Sequence, residues 1–325
     1  MARSRRALHS RGLGRGGVVL LLAALAVAPP AGAGADADQA VEAGLSAYLD
    51  GKFDRARRHW RDPAEEGEAR AQFGLGVLYA TGRGVAADRD TAFQWYRRAA
   101  AQGHPTAAFR VAQAYAEGRG VAQDPEAARR WYREAAAAGH GSAFTVLGRR
   151  YAAGVPGEMA KRKAFYEKGV EAGYADAQYH LASLYLHGQG VAADPGRAAE
   201  LLRQAADQGH APAALKLGGL FEDGNGVKRD PAAAAEWYRV AAERGNAAGQ
   251  ISLARLYAQG KGVAADPAAA YRWYRLAANS GSAYEHMAGT KAERLAQALS
   301  PEAREQAKAW LADWQAQGIW TAQYP

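Results

Sequence analysis

The apolar positions of the chain recur at two nested periods. Over short stretches they fall at i, i+4, i+5 and i+8, as in Ala71, Leu75, Gly76 and Tyr79. That spacing puts all four on one face of a helix. Over longer stretches the whole set returns. Tyr79, Tyr115, Tyr151, Tyr185, Phe221 and Tyr257 stand 36, 36, 34, 36 and 36 residues apart. Gly82, Gly118, Gly154, Gly188, Gly224 and Gly260 keep the same rhythm, as do Gly103, Gly139, Gly173, Gly209, Gly245 and Gly281. Agreement among three columns defines six tandem units at 69–104, 105–140, 141–174, 175–210, 211–246 and 247–282.

Each unit predicts a pair of helices. The first ends at a glycine, which accepts the left-handed conformation that closes many helices, and a turn such as Gly82-Arg83-Gly84-Val85 follows, with its Val placed to fold back onto the pair. The second opens on Asp-Pro in four units, at Asp124-Pro125, Asp194-Pro195, Asp230-Pro231 and Asp266-Pro267. Aspartate caps free amides, and proline in the first turn forfeits no hydrogen bond. Trp95-Tyr96, Trp131-Tyr132, Trp237-Tyr238 and Trp273-Tyr274 come seven residues after the cap position. Their register predicts burial between stacked pairs rather than a ligand-stacking site. No single pair can cover such a face alone, so the units must pile on one another. Unit 141–174 departs from the pattern, with Gly154-Val155-Pro156-Gly157 where two residues are missing and Phe165-Tyr166 in the aromatic place. Unit 175–210 carries Leu201-Leu202 there.

Composition changes this picture at the amino terminus. Arg3, Arg5, Arg6, Arg11 and Arg15 precede the apolar run Val18 to Ala28, and Pro29-Pro30 and small residues follow. This is the pattern of a signal peptide over residues 1–35, cleaved after Ala33 or Ala35. Ser4-Arg5-Arg6-Ala7-Leu8 resembles a twin-arginine signal, so both export routes stay open. The run is shorter than the ~20 apolar residues of a bilayer span, so no transmembrane helix is expected after cleavage and the mature chain is expected in the periplasm or outside the cell. The net charge of +8 falls to +3 without the signal, because 36 Lys and Arg then face 33 Asp and Glu. Nucleic acid is therefore not an expected partner. Absence of cysteine removes disulfides, thiolate metal sites and cysteine nucleophiles.

The pattern Ala-x-x-x-Leu-Gly-x-x-Tyr-x-x-Gly-x-Gly-Val-x-x-Asp over 71–88, followed by Trp-Tyr-x-x-Ala-Ala-x-x-Gly over 95–103, resembles the Sel-one-like repeat, a relative of the tetratricopeptide repeat. The resemblance covers 69–282 and implies an all-α fold, an α/α superhelical solenoid whose first helices line a concave surface. It also implies a protein-binding scaffold or adaptor, in settings such as envelope signalling, exopolysaccharide assembly or host contact. Residues 36–68, with Tyr48, Phe53, Ala56 and Trp60, and residues 283–325, with Ala303, Ala307, Trp310, Leu311 and Trp314, are expected to cap the array as helix pairs.

Candidate chemistry is sparse. The Gly-x-Gly turns follow helices, not strands, and so lack the context of a dinucleotide fingerprint. No P-loop and no His-Glu-x-x-His occurs. His104, His140 and His210 share one turn position, and His180 and His187 lie seven apart without a carboxylate evident beside them. No cofactor, metal site or catalytic residue is expected. The alternative is a periplasmic hydrolase acting on a peptidoglycan or β-lactam substrate. Cysteine-rich relatives suggest it, but they depend on disulfides this chain lacks. The positions expected to face the concave surface read Gly74, Arg110, Val146, His180, Lys216 and Ser252 in one column. The second column reads Val77, Gln113, Arg149, Ser183, Gly219 and Arg255. Arg110, Gln113, Arg149, His180, Ser183, Lys216 and Arg255 are the candidate groove, and its cations suit a protein or peptide partner of acidic character.

Overall fold

The computed structural model describes residues 35–150 and 156–316. Residues 1–34 of the expected signal, the turn at Gly154-Val155 and residues 317–325 of the expected C-terminal cap lie outside these residues. The described residues hold sixteen helices and no strand, and they divide into two compact units, one ending at Leu147 and the other beginning at Gly148.

The first unit contains α1 (Ala35–Leu49), α2 (Phe53–Glu65), α3 (Ala69–Thr81), α4 (Arg89–Ala101), α5 (Pro105–Glu117), α6 (Pro125–Ala137) and most of α7 (Gly141–Arg149). Consecutive helices pack antiparallel as hairpins, α1 with α2, α3 with α4 and α5 with α6. Each hairpin then packs on the next through α2 with α3 and α4 with α5. The second unit repeats this arrangement. It comprises α8 (Pro156–Glu171), α9 (Ala175–His187), α10 (Pro195–Asp207), α11 (Ala211–Asp223), α12 (Pro231–Glu243), α13 (Ala247–Gln259), α14 (Pro267–Ala278), α15 (Glu285–Ala298) and α16 (Pro301–Ala316).

The caps explain why the elements start where they do. Asp88, Asp124, Asp194, Asp230 and Asp266 each accept hydrogen bonds from amides of the helix they precede. Their own amides donate 2.8–3.0 Å bonds to the carbonyls of Tyr79, Tyr115, Tyr185, Phe221 and Tyr257. The turn is thus closed from both sides. Two of the first helices are capped by histidines that the sequence placed only at a turn position. His104 Nδ1 accepts from the Ala107 amide at 3.2 Å and His210 Nδ1 from the Ala213 amide at 3.0 Å, while Asn246 does the same toward Gly249. Both histidines are buried.

The core follows the sequence columns closely. Leu75, Val111, Leu147, Leu181, Leu217 and Leu253 are buried, as are Ala71, Ala107, Ala143, Ala177 and Ala213. The small residue after each leucine sits against the second-helix aromatic. Gly76 faces Tyr96, Gly148 faces Tyr166 and Gly218 faces Tyr238, so closely that a methyl group would collide with the ring. The Trp-Tyr pairs divide their roles, contrary to the expectation that both residues act as core. Tyr96, Tyr132, Tyr166, Tyr238 and Tyr274 are buried, whereas Trp95, Trp131 and Trp237 are half-exposed. Neighbouring residues point about 100° apart on a helix, so only one of the pair can face the core squarely. Trp273 is the exception. It is buried because Trp310 and Trp314 of α16 pack edge-on against it, at centroid distances of 5.6 and 5.4 Å.

Candidate functional site

The exposed ends and faces of the first helices carry the chemistry, because their packing positions are fixed by the repeat. In the first unit α3, α4 and α5 enclose a cleft of about 320 Å³. Its floor is aromatic. Phe93 and Tyr96 are both buried, with Phe93 edge-on to Tyr115 at 5.4 Å. Val77, Ala80 and Thr81 of α3 form one wall, and Gln113, Ala114 and Glu117 of α5 the other. Arg89, Arg110 and Arg119 complete the lining. Two predicted groove residues meet there, since the Arg110 guanidinium donates to Gln113 Oε1 at 2.9 Å. A neutral amide positions the cation without neutralising it. Arg119 pairs with Glu117 at 2.7 Å in an exposed contact, whereas Arg89 and Arg110 form no ion pair among the described residues. Burial pushes the Tyr96 phenol up in pKa, and the positive charge of Arg110 opposes that rise.

In the second unit Arg149 is exposed, while His180, Ser183 and Lys216 are half-buried. Lys216 Nζ lies 5.8 Å from the Tyr179 ring centroid, over its face. His180 stacks on Tyr166 at 5.3 Å. Burial drives its pKa down to about 4, so the ring is neutral near pH 7, and Asp176 partly offsets the shift. Asp176 corrects the expectation of no carboxylate near the histidine. It lies one turn before His180 and accepts from His210 Nε2 at 3.1 Å. That bond, with charge from His210, His180 and Arg149, lowers its pKa against the opposing effect of burial. Ser183 hydroxyl donates to the Tyr179 carbonyl at 3.1 Å, which turns it toward its own helix.

Arg255 is in a different situation from the other candidates. It grips Glu222 with two bonds of 2.9 and 2.5 Å, and the same carboxylate accepts from Lys261 Nζ at 3.1 Å and from the Tyr238 hydroxyl at 2.9 Å. The Glu222 side chain is only 12 % exposed. The sequence reading missed Glu222. Its signal was an acid at a repeat position that holds Ala80, Ala116, Leu186 and Ala258 in other units. The Arg255 bonds, followed by those from Lys261 and Tyr238, hold the Glu222 carboxyl down at about 2 against desolvation. A carboxyl lowered in the folded state stabilises the fold above its unfolded pKa, and that contribution fades as pH falls toward the folded value. Glu222→Gln is therefore expected to lower the urea midpoint at pH 7. Its deficit against the parent should shrink as pH falls from about 5 to about 2. A deficit independent of pH over that range would contradict the assignment.

Antiparallel α-hairpins stacked in tandem, with a repeated packing code and variable first-helix faces, define an α/α solenoid repeat protein. The Sel1 repeat family model matches residues 69–104, 105–140, 175–210, 211–246 and 247–282, and the chain belongs to this family. Residues 141–174, which carry the deletion, are not among the matched stretches. A Sel1 repeat protein from Oxalobacter formigenes is similar in structure, at 31 % identity and a TM-score of 0.67, covering 73 % of this chain and 98 % of the relative. A protective antigen present in uropathogenic Escherichia coli strains, displaying an SLR fold, is 26 % identical with a TM-score of 0.54, covering 89 % of this chain and 72 % of the antigen. No curated protein matches the chain. Repeats of this family generally mediate protein–protein interaction, and its members are generally non-catalytic scaffolds. No helix among the described residues is long and apolar enough to cross a membrane.

Proposed function

We propose that this protein is an exported adaptor in which each unit holds acidic segments of a protein partner against the exposed faces of its first helices. Residues 36–68 and 283–325 close the ends of the array in this reading, and residues 1–35 direct export to the periplasm or beyond the cell. The observation that carries it is the contrast between columns. Packing positions repeat from unit to unit, while the neighbouring surface positions vary and supply Arg110, Arg149 and Lys216, none of which forms an ion pair among the described residues. Guanidinium groups bind carboxylates through paired, charge-assisted hydrogen bonds. The description of one relative as a protective antigen fits an exported chain.

Fluorescence anisotropy with a labelled twelve-residue peptide of alternating Glu and Ala, and with its Lys counterpart, tests the reading. The acidic peptide is expected to bind in a salt-dependent manner and the basic one not to bind. Changing Arg110, Arg149 and Lys216 together to alanine is expected to weaken the acidic peptide by about ten-fold or more, with the helical circular dichroism intact. Equal binding of both peptides, or unchanged affinity in the triple variant, would remove the proposal.

A further inference from the structure

The same four repeat positions are filled differently in the two units. In the repeats at 211–246 and 247–282, Glu222 of α11 stands at one of them. Its carboxylate is held by Tyr238 from its own hairpin and by Arg255 and Lys261 from the next. Shifting each residue back along the repeat to 69–104 and 105–140 places Ala80 at Glu222, Tyr96 at Tyr238, Gln113 at Arg255 and Arg119 at Lys261. All four line the 320 Å³ cleft. The hydroxyl and one cation are retained, Arg110 adds a second cation one turn away on α5, and the internal carboxylate is missing. The space that Glu222 occupies in one unit is open in the other.

We infer that the cleft between α3, α4 and α5 receives a carboxylate side chain from an acidic peptide segment of the partner, in the place that Glu222 takes within the second unit. This rests on the adaptor reading and names the point where the partner is gripped. Charge complementarity selects the occupant. Arg89 and Arg110 bring uncompensated positive charge, and Glu117, the one carboxylate in the lining, is held by Arg119 in an exposed pair that contributes little. The aromatic floor suits the methylenes of a glutamate and excludes water from the bond. A buried carboxylate is bound strongly only where donors converge on it, and the Glu222 site shows such a set assembled by this repeat.

The chain supplies its own test. Ala80 is exposed near the end of α3, so Ala80→Glu and Ala80→Gln are both compatible with the helix. Ala80→Glu is expected to plug the cleft as Glu222 plugs its counterpart. It should weaken the alternating Glu-Ala peptide by about ten-fold and raise the melting midpoint at low salt. Ala80→Gln adds nearly the same volume without the charge, so it obstructs the cleft but leaves its cations unpaired, and is expected to weaken the peptide by only about two- to three-fold, clearly less than Ala80→Glu, and to leave the midpoint where it was. Equal losses in both variants would mean that the side chain merely obstructs, and would overturn the inference. So would unchanged peptide affinity in Ala80→Glu. If that affinity held while the Arg110, Arg149 and Lys216 triple variant failed to bind, the cleft would fall and the adaptor reading would stand. If the parent protein bound no acidic peptide, both would fall.

Discussion

Replacing Trp60 with alanine is expected to cost about 3–5 kcal/mol and to release the first hairpin from the array. Trp60 is fully buried and is the largest such side chain among the described residues. Its indole lies between two glycines, Gly44 of α1 and Gly74 of α3, neither of which leaves room for a methyl group beside the ring. Its Nε1–H donates to the Val41 carbonyl at 3.1 Å. Removal therefore opens a cavity that backbone on two helices cannot close and leaves a buried acceptor without its donor. The position makes the effect local as well as large. In a stack each hairpin is stabilised by its own packing and by its neighbours, and among the described residues the first pair packs on one further hairpin. Hydrogen exchange should show early loss of protection in α1 and α2 while α4 to α6 keep theirs. Full protection of α1 in Trp60→Ala would contradict this account. Gly74→Ala tests the same contact from the other side, since its new methyl would come within 2.7 Å of the ring.

Gly262→Ala is expected to destabilise the protein about two to three times as much as Gly245→Ala, although both glycines have nearly the same backbone. Their φ angles are +73° and +80°, so each substitution carries about 1–2 kcal/mol of left-handed strain. Their surroundings differ. A methyl group on Gly245 would meet nothing within 4 Å, whereas one on Gly262 would collide with the Pro231 carbonyl and stand 2.8 Å from the Ala232 amide. Backbone cannot swing aside as a flexible side chain does, and overpacking adds about 1–3 kcal/mol. Gly262 belongs to the turn of one repeat and Pro231 begins the second helix of the repeat before it. The collision therefore acts on the joint between repeats. Gly226 stands in the same relation to Pro195, and Gly120 to Arg89. Urea unfolding of the two variants side by side measures the difference, and equal midpoints would refute the proposed joint.

The periodicity by itself determined the all-helical class, the hairpin unit and most of the core, because a helix face that must be buried against a neighbour can hold only small and apolar residues at fixed intervals. The Asp caps and the leucine column were legible for that reason. Tertiary structure alone decided the rest. His104 and His210 emerged as buried helix caps only when the next helix was seen to present its amides to them. The second turn glycine proved to be a joint because the backbone it touches lies some thirty residues away in sequence. Arg255 looked like a surface cation for a partner, yet Glu222, 33 residues earlier, already holds it. A periodic sequence states which residues share a column. Whether two columns meet across the hairpin joint, and so whether a charge is satisfied within the chain or left open to another protein, depends on the packing of one hairpin against the next.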